Sequence, residues 1–374
     1  MLARAWTVGL LGLFGLIACG GGGGGSSGND TAGSPAPAGL ASVNVFYSGH
    51  SLLDDPVGDD TESVATSLGK TIQWNQQIVI GSPVRIRTRG DSSSDPSFPG
   101  YRQGKNRGLS QNLDVIAELR SPATISGRYD ALVLAERHDL ASTLQFEDTV
   151  RYVRHFHERL IEGNPQGTTY LYHAWLGVRD LDNPAPWIAY EKAAAPAWRC
   201  AAARINRSLE AESRADRVRY LPAGLALAVL VERAMQGNVE GLGGSSRSIV
   251  QQLMVDDVHE TPLGAYFVSL VNVASLYGTS PAGGWAPAGV SDGLKRSMQN
   301  VAWEVASADL GAAGSDLASC RTHMRDSYCA AYNNYVGRTQ DIAGCQAFFT
   351  SASTDNPFHF DAAADAGYWF AAPR

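Results

Sequence analysis

Two short stretches, far apart in the chain, carry residue types that can do nucleophilic chemistry together. The first is VNVFYSGHSLLDD, residues 43 to 55, where an apolar run ends on Gly49-His50-Ser51. The second is Asp256-Asp257-Val258-His259, just ahead of TPLGAYFVSLVNVASLYG. A serine hydroxyl attacks a carbonyl carbon well only when a base takes its proton, and an imidazole serves best when a carboxylate orients it. The pattern therefore supplies Ser51 as nucleophile, His259 as base and Asp256 as the orienting acid. Each piece alone is commonplace, since a serine after Gly-His is usually a turn residue and Asp-x-x-His arises by chance. What gives the pair meaning is where the surrounding elements put them.

Strand and helix patterns alternate along the chain. VNVFYS (43–48), TIQWNQQIVI (71–80), YDALVLA (129–135), TTYLYHAW (168–175) and the short VRYLPAG read as five strands. Between and after them lie helical patterns: 60–69, stopped by Gly69; 146–163, with Val150, Val153, Phe156, Leu160 and Ile161 at helical spacing; a long stretch from Trp187 that Pro196 kinks or splits; and LALAVLVERAMQG. Alternation of this kind predicts right-handed crossovers, a mainly parallel sheet and helices on both faces. Sites in such folds lie at the carboxyl ends of strands, and Ser51 stands at one. Thr261 is suited to cap a helix and Pro262 to occupy its first position, which leaves His259 in a loop just before that helix, with Leu263, Tyr266, Val271 and Ala274 facing the core. Residues 91 to 111 read as a long loop, of the kind that is often functional.

At this point a family resemblance is carried by specific residues. GHSLLD resembles the GDSL block of the SGNH hydrolase superfamily, with His50 where that block has Asp. DDVH resembles its DxxH block, and the run HETPLGAYFVSLVNVASLYGTSP resembles the helix that follows it. The resemblance spans roughly residues 42 to 310. It implies a three-layer α/β/α, flavodoxin-like fold with a mainly parallel five-stranded sheet, agreeing with the strand reading, and the triad Ser51, Asp256 and His259. It also implies an oxyanion hole with a backbone N–H from a glycine, for which Gly81 is the nearest match and Gly90 the rival. The family's third donor is an Asn side chain. LAERHDL has no Asn there, and His138 is the nearest equivalent, with Arg137 beside it. One absent donor costs about 100- to 1,000-fold in rate.

The N-terminus reads as a targeting segment. MLARAW is followed by the apolar TVGLLGLFGLIA and then Cys19, and Leu16-Ile17-Ala18-Cys19 resembles a bacterial lipobox. The expected organisation is a signal peptide over 1–18, lipidation at Cys19, a Gly/Ser/Pro-rich tether over 19–40, a hydrolase-like domain over 41–310 and a cysteine-containing extension over 311–374. Gly20 after the cysteine resembles an outer-membrane sorting signal. The expected location is the cell envelope, with the membrane met only through the lipid. The formal charge of −7 argues against nucleic acid as a partner. The 44% hydrophobic fraction is enough for a sizeable core.

Four cysteines remain after Cys19: Cys200, Cys320, Cys329 and Cys345. An exported chain favours disulfides, four cysteines allow three pairings, and Cys320 and Cys329 are close enough to close a small loop. Zinc is the weaker reading, although His323 lies between that pair, because no CxxC spacing occurs. VRIRTRG places Arg85, Arg87 and Arg89 on one face if the segment is extended, either a solvated edge or an anion-binding stripe. His155 and His157 are read as surface residues of an amphipathic helix, His173 as structural near the cleft, and Trp175 as packing or a sugar platform.

The expected function is ester hydrolysis through an acyl-enzyme on Ser51, with no cofactor and no metal, acting on small esters or acylated glycans. Two alternatives stand beside it: an O-acetyltransferase using the same triad, and a non-catalytic glycan-binding protein.

Overall fold

A computed structural model describes residues 39–88, 100–105, 112–310 and 314–370 of the 374-residue chain. The signal and lipidation readings at residues 1–19, nearly all of the tether, Arg89, Gly90 and most of the 91–111 loop lie outside the described residues.

The strands are β1 (Ser42–Gly49), β2 (Thr71–Ile78), β3 (Gly104–Lys105), β4 (Asn112–Leu113), β5 (Ala131–Ala135), β6 (Thr168–Tyr172) and β7 (Arg217–Leu221). They form one sheet in the order β4-β3-β2-β1-β5-β6-β7. The five longer strands are all parallel, and the two-residue β3 and β4 continue the β2 edge antiparallel. Residues 45–47 of β1 and all of β5 are buried, as expected for strands covered on both faces.

The helices are α1 (Val57–Ser67), α2 (Val84–Thr88), α3 (Val115–Arg120), α4 (Leu140–Phe146), α5 (Thr149–Gly163), α6 (Ala185–Ala211), α7 (Ala223–Met235), α8 (Ser246–Leu253), α9 (Pro262–Tyr277), α10 (Asp292–Leu310), α11 (Leu317–His323), α12 (Cys329–Tyr335), α13 (Ile342–Thr350) and α14 (Asp365–Tyr368). The chain winds from β1 to β2 in one direction and from β5 through β6 to β7 in the other. Right-handed crossovers therefore send α1 to one face and α5 and α6 to the opposite face. Helix α9 packs between α1 and α10 and is buried almost all round. The result is the three-layer α/β/α fold expected from the sequence. The winding reverses between β1 and β5, which opens a crevice at their carboxyl ends.

Helix α6 runs for 27 residues through Pro196, so of the two readings of that proline the split is excluded. Other expectations need correction. Arg85 and Arg87 lie on the helix α2 and form no stripe: Arg87 is fully buried, and Arg85 pairs with Glu147. Pro83 immediately before Val84 fits a helix start, and five helical residues turn alternate side chains in different directions. His155 and His157 are buried at 7% and 0% exposure. The His157 ring bridges the Thr169 hydroxyl and the Asp216 carboxylate, each at 2.8 Å. The outer side of α5 is covered by the C-terminal segment, where Phe370 packs on Tyr152 and His155, and Trp369 lies over Arg154.

The extension is bonded to the domain. Cys200 of α6 pairs with Cys320 of α11, and Cys329 pairs with Cys345 of α13, so Cys320 and Cys329 do not close a small loop together. Neither is a thiolate ligand here, and the His323 Nε2 meets the Ala193 carbonyl at 3.0 Å. Among the described residues, no helix is long and apolar enough to cross a membrane.

Candidate active site

Strand β1 delivers Ser51 directly. His50 caps the single 3-10 turn Ser51–Leu53, its Nδ1 accepting from the Leu52 N–H at 3.5 Å. Its Nε2 then donates to the Glu136 carbonyl at 3.1 Å. Burial pushes the His50 ring down to about 3, and the nearby Arg87 charge pushes the same way, so the ring is neutral and this tautomer follows. Tyr172 fixes the turn from the other side by donating to the Leu52 carbonyl at 2.9 Å.

Asp256 and His259 come from the loop between α8 and α9. That loop is held tightly: Met254 and Glu260 form an antiparallel bridge, and the Val255 N–H donates to the His259 carbonyl at 2.8 Å. Helix α9 begins as expected, with the Thr261 hydroxyl accepting from the Gly264 N–H and Pro262 in the first turn. His259 Nε2 lies 3.1 Å from the Ser51 Oγ, and His259 Nδ1 lies 2.7 Å from Asp256 Oδ2. The other carboxylate oxygen accepts from the Val258 and His259 N–H groups at 2.8 and 2.7 Å. Burial pushes the Asp256 carboxyl upward, but the bonds from the His259 backbone and ring and from Val258 outweigh it and hold the group at about 2. An ionised carboxylate only accepts, so Nδ1 carries the proton and Nε2 faces the serine as acceptor. This is the hydrogen-bond order that lets an imidazole take a proton from a hydroxyl.

The rest of the crevice is placed by a buried polar hub absent from the sequence reading. The Arg87 guanidinium donates to Ser48 Oγ at 3.1 Å, to both Ser82 oxygens at 2.8 Å, and to the Ala135 carbonyl. It thereby ties together the ends of β1 and β5 and the turn after β2. The Glu136 carboxylate accepts from the Val84 and Arg137 N–H groups and from the Thr149 hydroxyl. Burial pushes Glu136 up and Arg87 down to about 10, while each charge opposes the other's shift. Nothing local in VRIRT marks Arg87 as this hub, because its partners come from three separate segments.

Gly81 sits in the turn Val79–Ser82, closed by the Ser82 N–H donating to the Val79 carbonyl at 3.1 Å. Its φ of +67° is the value the third residue of such a turn needs, which only glycine takes without strain. His138 follows β5, with its ring edge-on to His50 at 6.2 Å between centroids. Burial pushes His138 down; Asp139 opposes this, while the Arg137 charge, and that of His259 when it is protonated, add to it. The neutral ring has one N–H to donate. Arg137 is engaged by the Asp139 carboxylate at 2.6 and 3.0 Å. Glu260, also missed in the sequence, stands beside the triad with Oε1 buried and without a partner among the described residues. Burial pushes it up to about 7.

His173 is structural. Its ring is buried between the Tyr220 hydroxyl at 2.7 Å and the Glu191 carboxyl at 3.0 Å, away from any nucleophile. Burial drives His173 well down and Glu191 well up, which favours a neutral pair. Trp175 is core, and its indole N–H donates to the Val258 carbonyl at 2.9 Å.

No family model matches the chain, and no curated protein does. Among solved structures, it is similar to a DUF4886 family protein from Bacteroides uniformis at 11% identity with a TM-score of 0.48. The match covers 71% of this chain and 94% of that one. A likeness at that level says nothing about activity.

Proposed function

We propose that the protein is a serine esterase of the SGNH type. Ser51 attacks the ester carbonyl while His259 takes its proton. The tetrahedral oxyanion is met by the N–H groups of Ser51 and Gly81, with the His138 ring as a third donor. His259 then returns the proton to the leaving alkoxide, giving an acyl-Ser51 and free alcohol. Water, deprotonated by His259, attacks the acyl-enzyme and releases the acid. Asp256 holds the ring in the required tautomer throughout and offsets the charge of the imidazolium.

The observation that carries this reading is the continuous bond path from Ser51 Oγ through His259 to Asp256, at 3.1 and 2.7 Å, at a strand-order reversal. The side chains of His259 and Asp256 are 44% and 49% exposed. That openness favours water as the acyl acceptor and so favours hydrolysis over transfer to a second sugar. Small acyl groups on glycans are the proposed substrates, reached by a domain tethered through Cys19 to the bacterial envelope.

The test is turnover of p-nitrophenyl acetate and of an acetylated glycan by the soluble domain, alongside Ser51→Ala and His259→Ala. Both variants are expected to lose activity. With an added sugar acceptor, free acetate should remain the product. Acetylated acceptor would mean a transferase. Glycan affinity without turnover by the folded parent would mean a binding protein.

A further inference from the structure

We infer that the C-terminal extension is part of the working site, with Tyr335 acting as a positioning residue for the Asp256–His259 loop; this rests on the esterase reading above. The loop has two supports. One is its own turn, and the other is the segment 175–179 that follows β6. From that segment the Trp175 indole donates to the Val258 carbonyl at 2.9 Å, and the Val178 N–H donates to the Asp257 carbonyl at 2.6 Å. The two segments are pressed together at Gly177, where a Cβ would lie 2.7 Å from the Asp257 carboxylate. Residues 256–259 are therefore held from behind by 175–178.

That segment is in turn held by the extension. The Tyr335 hydroxyl donates to the Gly177 carbonyl and accepts from the Arg179 N–H at 3.3 Å. The Arg179 guanidinium reaches the last carbonyls of α12, bonding Tyr335 at 2.7 Å and Val336 at 3.1 Å, where a cation is favoured. The Tyr335 ring is fixed by stacking on Tyr190 of α6, with centroids 5.0 Å apart and planes 13° from parallel. The disulfide Cys329–Cys345 sets α12 against α13, and Cys200–Cys320 ties this helical run to α6. A path of bonded groups thus leads from α6 through Tyr335 and Gly177 to the residues flanking His259. The interlock is reciprocal, since each segment satisfies backbone groups of the other. An appendage that merely covered apolar surface would not need such bonds.

The experiment uses the full chain without its signal segment and compares the parent with Tyr335→Phe and Arg179→Ala. Two readouts are taken on proteins whose circular dichroism matches the parent. The first is the rate at which a fluorophosphonate labels Ser51. The second is the downfield proton resonance of His259 Nδ1–H, which reports the bond to Asp256 and not global folding. The variants should label about tenfold more slowly, the effect expected for loss of one bond in a supporting shell. The Nδ1–H resonance should shift upfield or exchange faster with water. Unchanged labelling and an unchanged resonance in both variants would overturn the inference. A parent that is folded and shows the resonance but never labels would instead sink the esterase reading. In that case the resonance comparison still decides whether Tyr335 positions the loop.

Discussion

Replacing Asp256 by Asn separates the orientation of His259 from its mere presence. Asp256 accepts three hydrogen bonds, two from backbone N–H groups on Oδ1 and one from the ring on Oδ2. The amide carbonyl of Asn can keep the two backbone bonds, so the loop should hold its shape. Its NH2 group then occupies the place of Oδ2, 2.7 Å from Nδ1, and can only donate. The ring must answer with an unprotonated Nδ1, which moves its proton to Nε2, facing Ser51 at 3.1 Å. A base that already carries its proton cannot take another from serine. The favourable interaction of the carboxylate with the imidazolium is lost as well. In a buried triad this substitution costs about 10,000-fold in kcat. Because the side chains of His259 and Asp256 are nearly half exposed, water can partly restore the working tautomer. The expected loss here is about 1,000- to 10,000-fold, or roughly 4 to 5.5 kcal/mol in the barrier. Steady-state hydrolysis of p-nitrophenyl acetate measures it, with a urea melt to show that stability moves by less than about 1 kcal/mol. A loss below tenfold in a folded variant would refute the assigned tautomer and the role of Asp256.

Three more outcomes follow from other parts of the site. Glu260, held up to about 7 by burial against about 4.3 in an unfolded chain, keeps a proton that the unfolded state releases between those values. Stability should therefore fall as pH rises from about 4.3 to about 7, by on the order of 4 kcal/mol in all. Glu260→Gln should remove that slope and stabilise more at pH 8 than at pH 5 in urea melts; an equal effect at both would contradict the assignment. His138→Ala should lower kcat about 100-fold or more, as for loss of an oxyanion donor, while His138→Asn should recover most of it. Equal activity of all three proteins would remove His138 from the site. For the disulfides, a Cys200→Ser/Cys320→Ser pair opens a loop of 120 residues and a Cys329→Ser/Cys345→Ser pair one of 16. Chain entropy then predicts losses of about 5 and about 3 kcal/mol, and calorimetry should rank them in that order.

The legible parts of this molecule are those set by local pattern. Strand β1 ends where the apolar run meets Gly49, and α9 begins where Thr261 and Pro262 announce it, so Ser51 and His259 are both legible as residues at element ends. Alternation of strands and helices was enough for the layer architecture, and the reversal of strand order then places the crevice beside Ser51. What the sequence hid is non-local. Arg87 reads as an alternating surface cation until Ser48, Ser82 and Ala135 are brought around it. His155 and His157 read as the polar side of a helix because the segment covering that side lies about 200 residues further on. The disulfide pairing likewise depends on how α11 and α13 lie against α6 and α12, and no spacing rule supplies that.

Whether Ser51 is an activated nucleophile is decided by intact-mass and peptide analysis after treatment with a fluorophosphonate, on the parent, Ser51→Ala and His259→Ala. One adduct is expected on the parent, mapped to Ser51, absent from Ser51→Ala and strongly slowed in His259→Ala. A folded parent that takes no adduct, or an adduct that maps elsewhere and persists in Ser51→Ala, would contradict an activated Ser51.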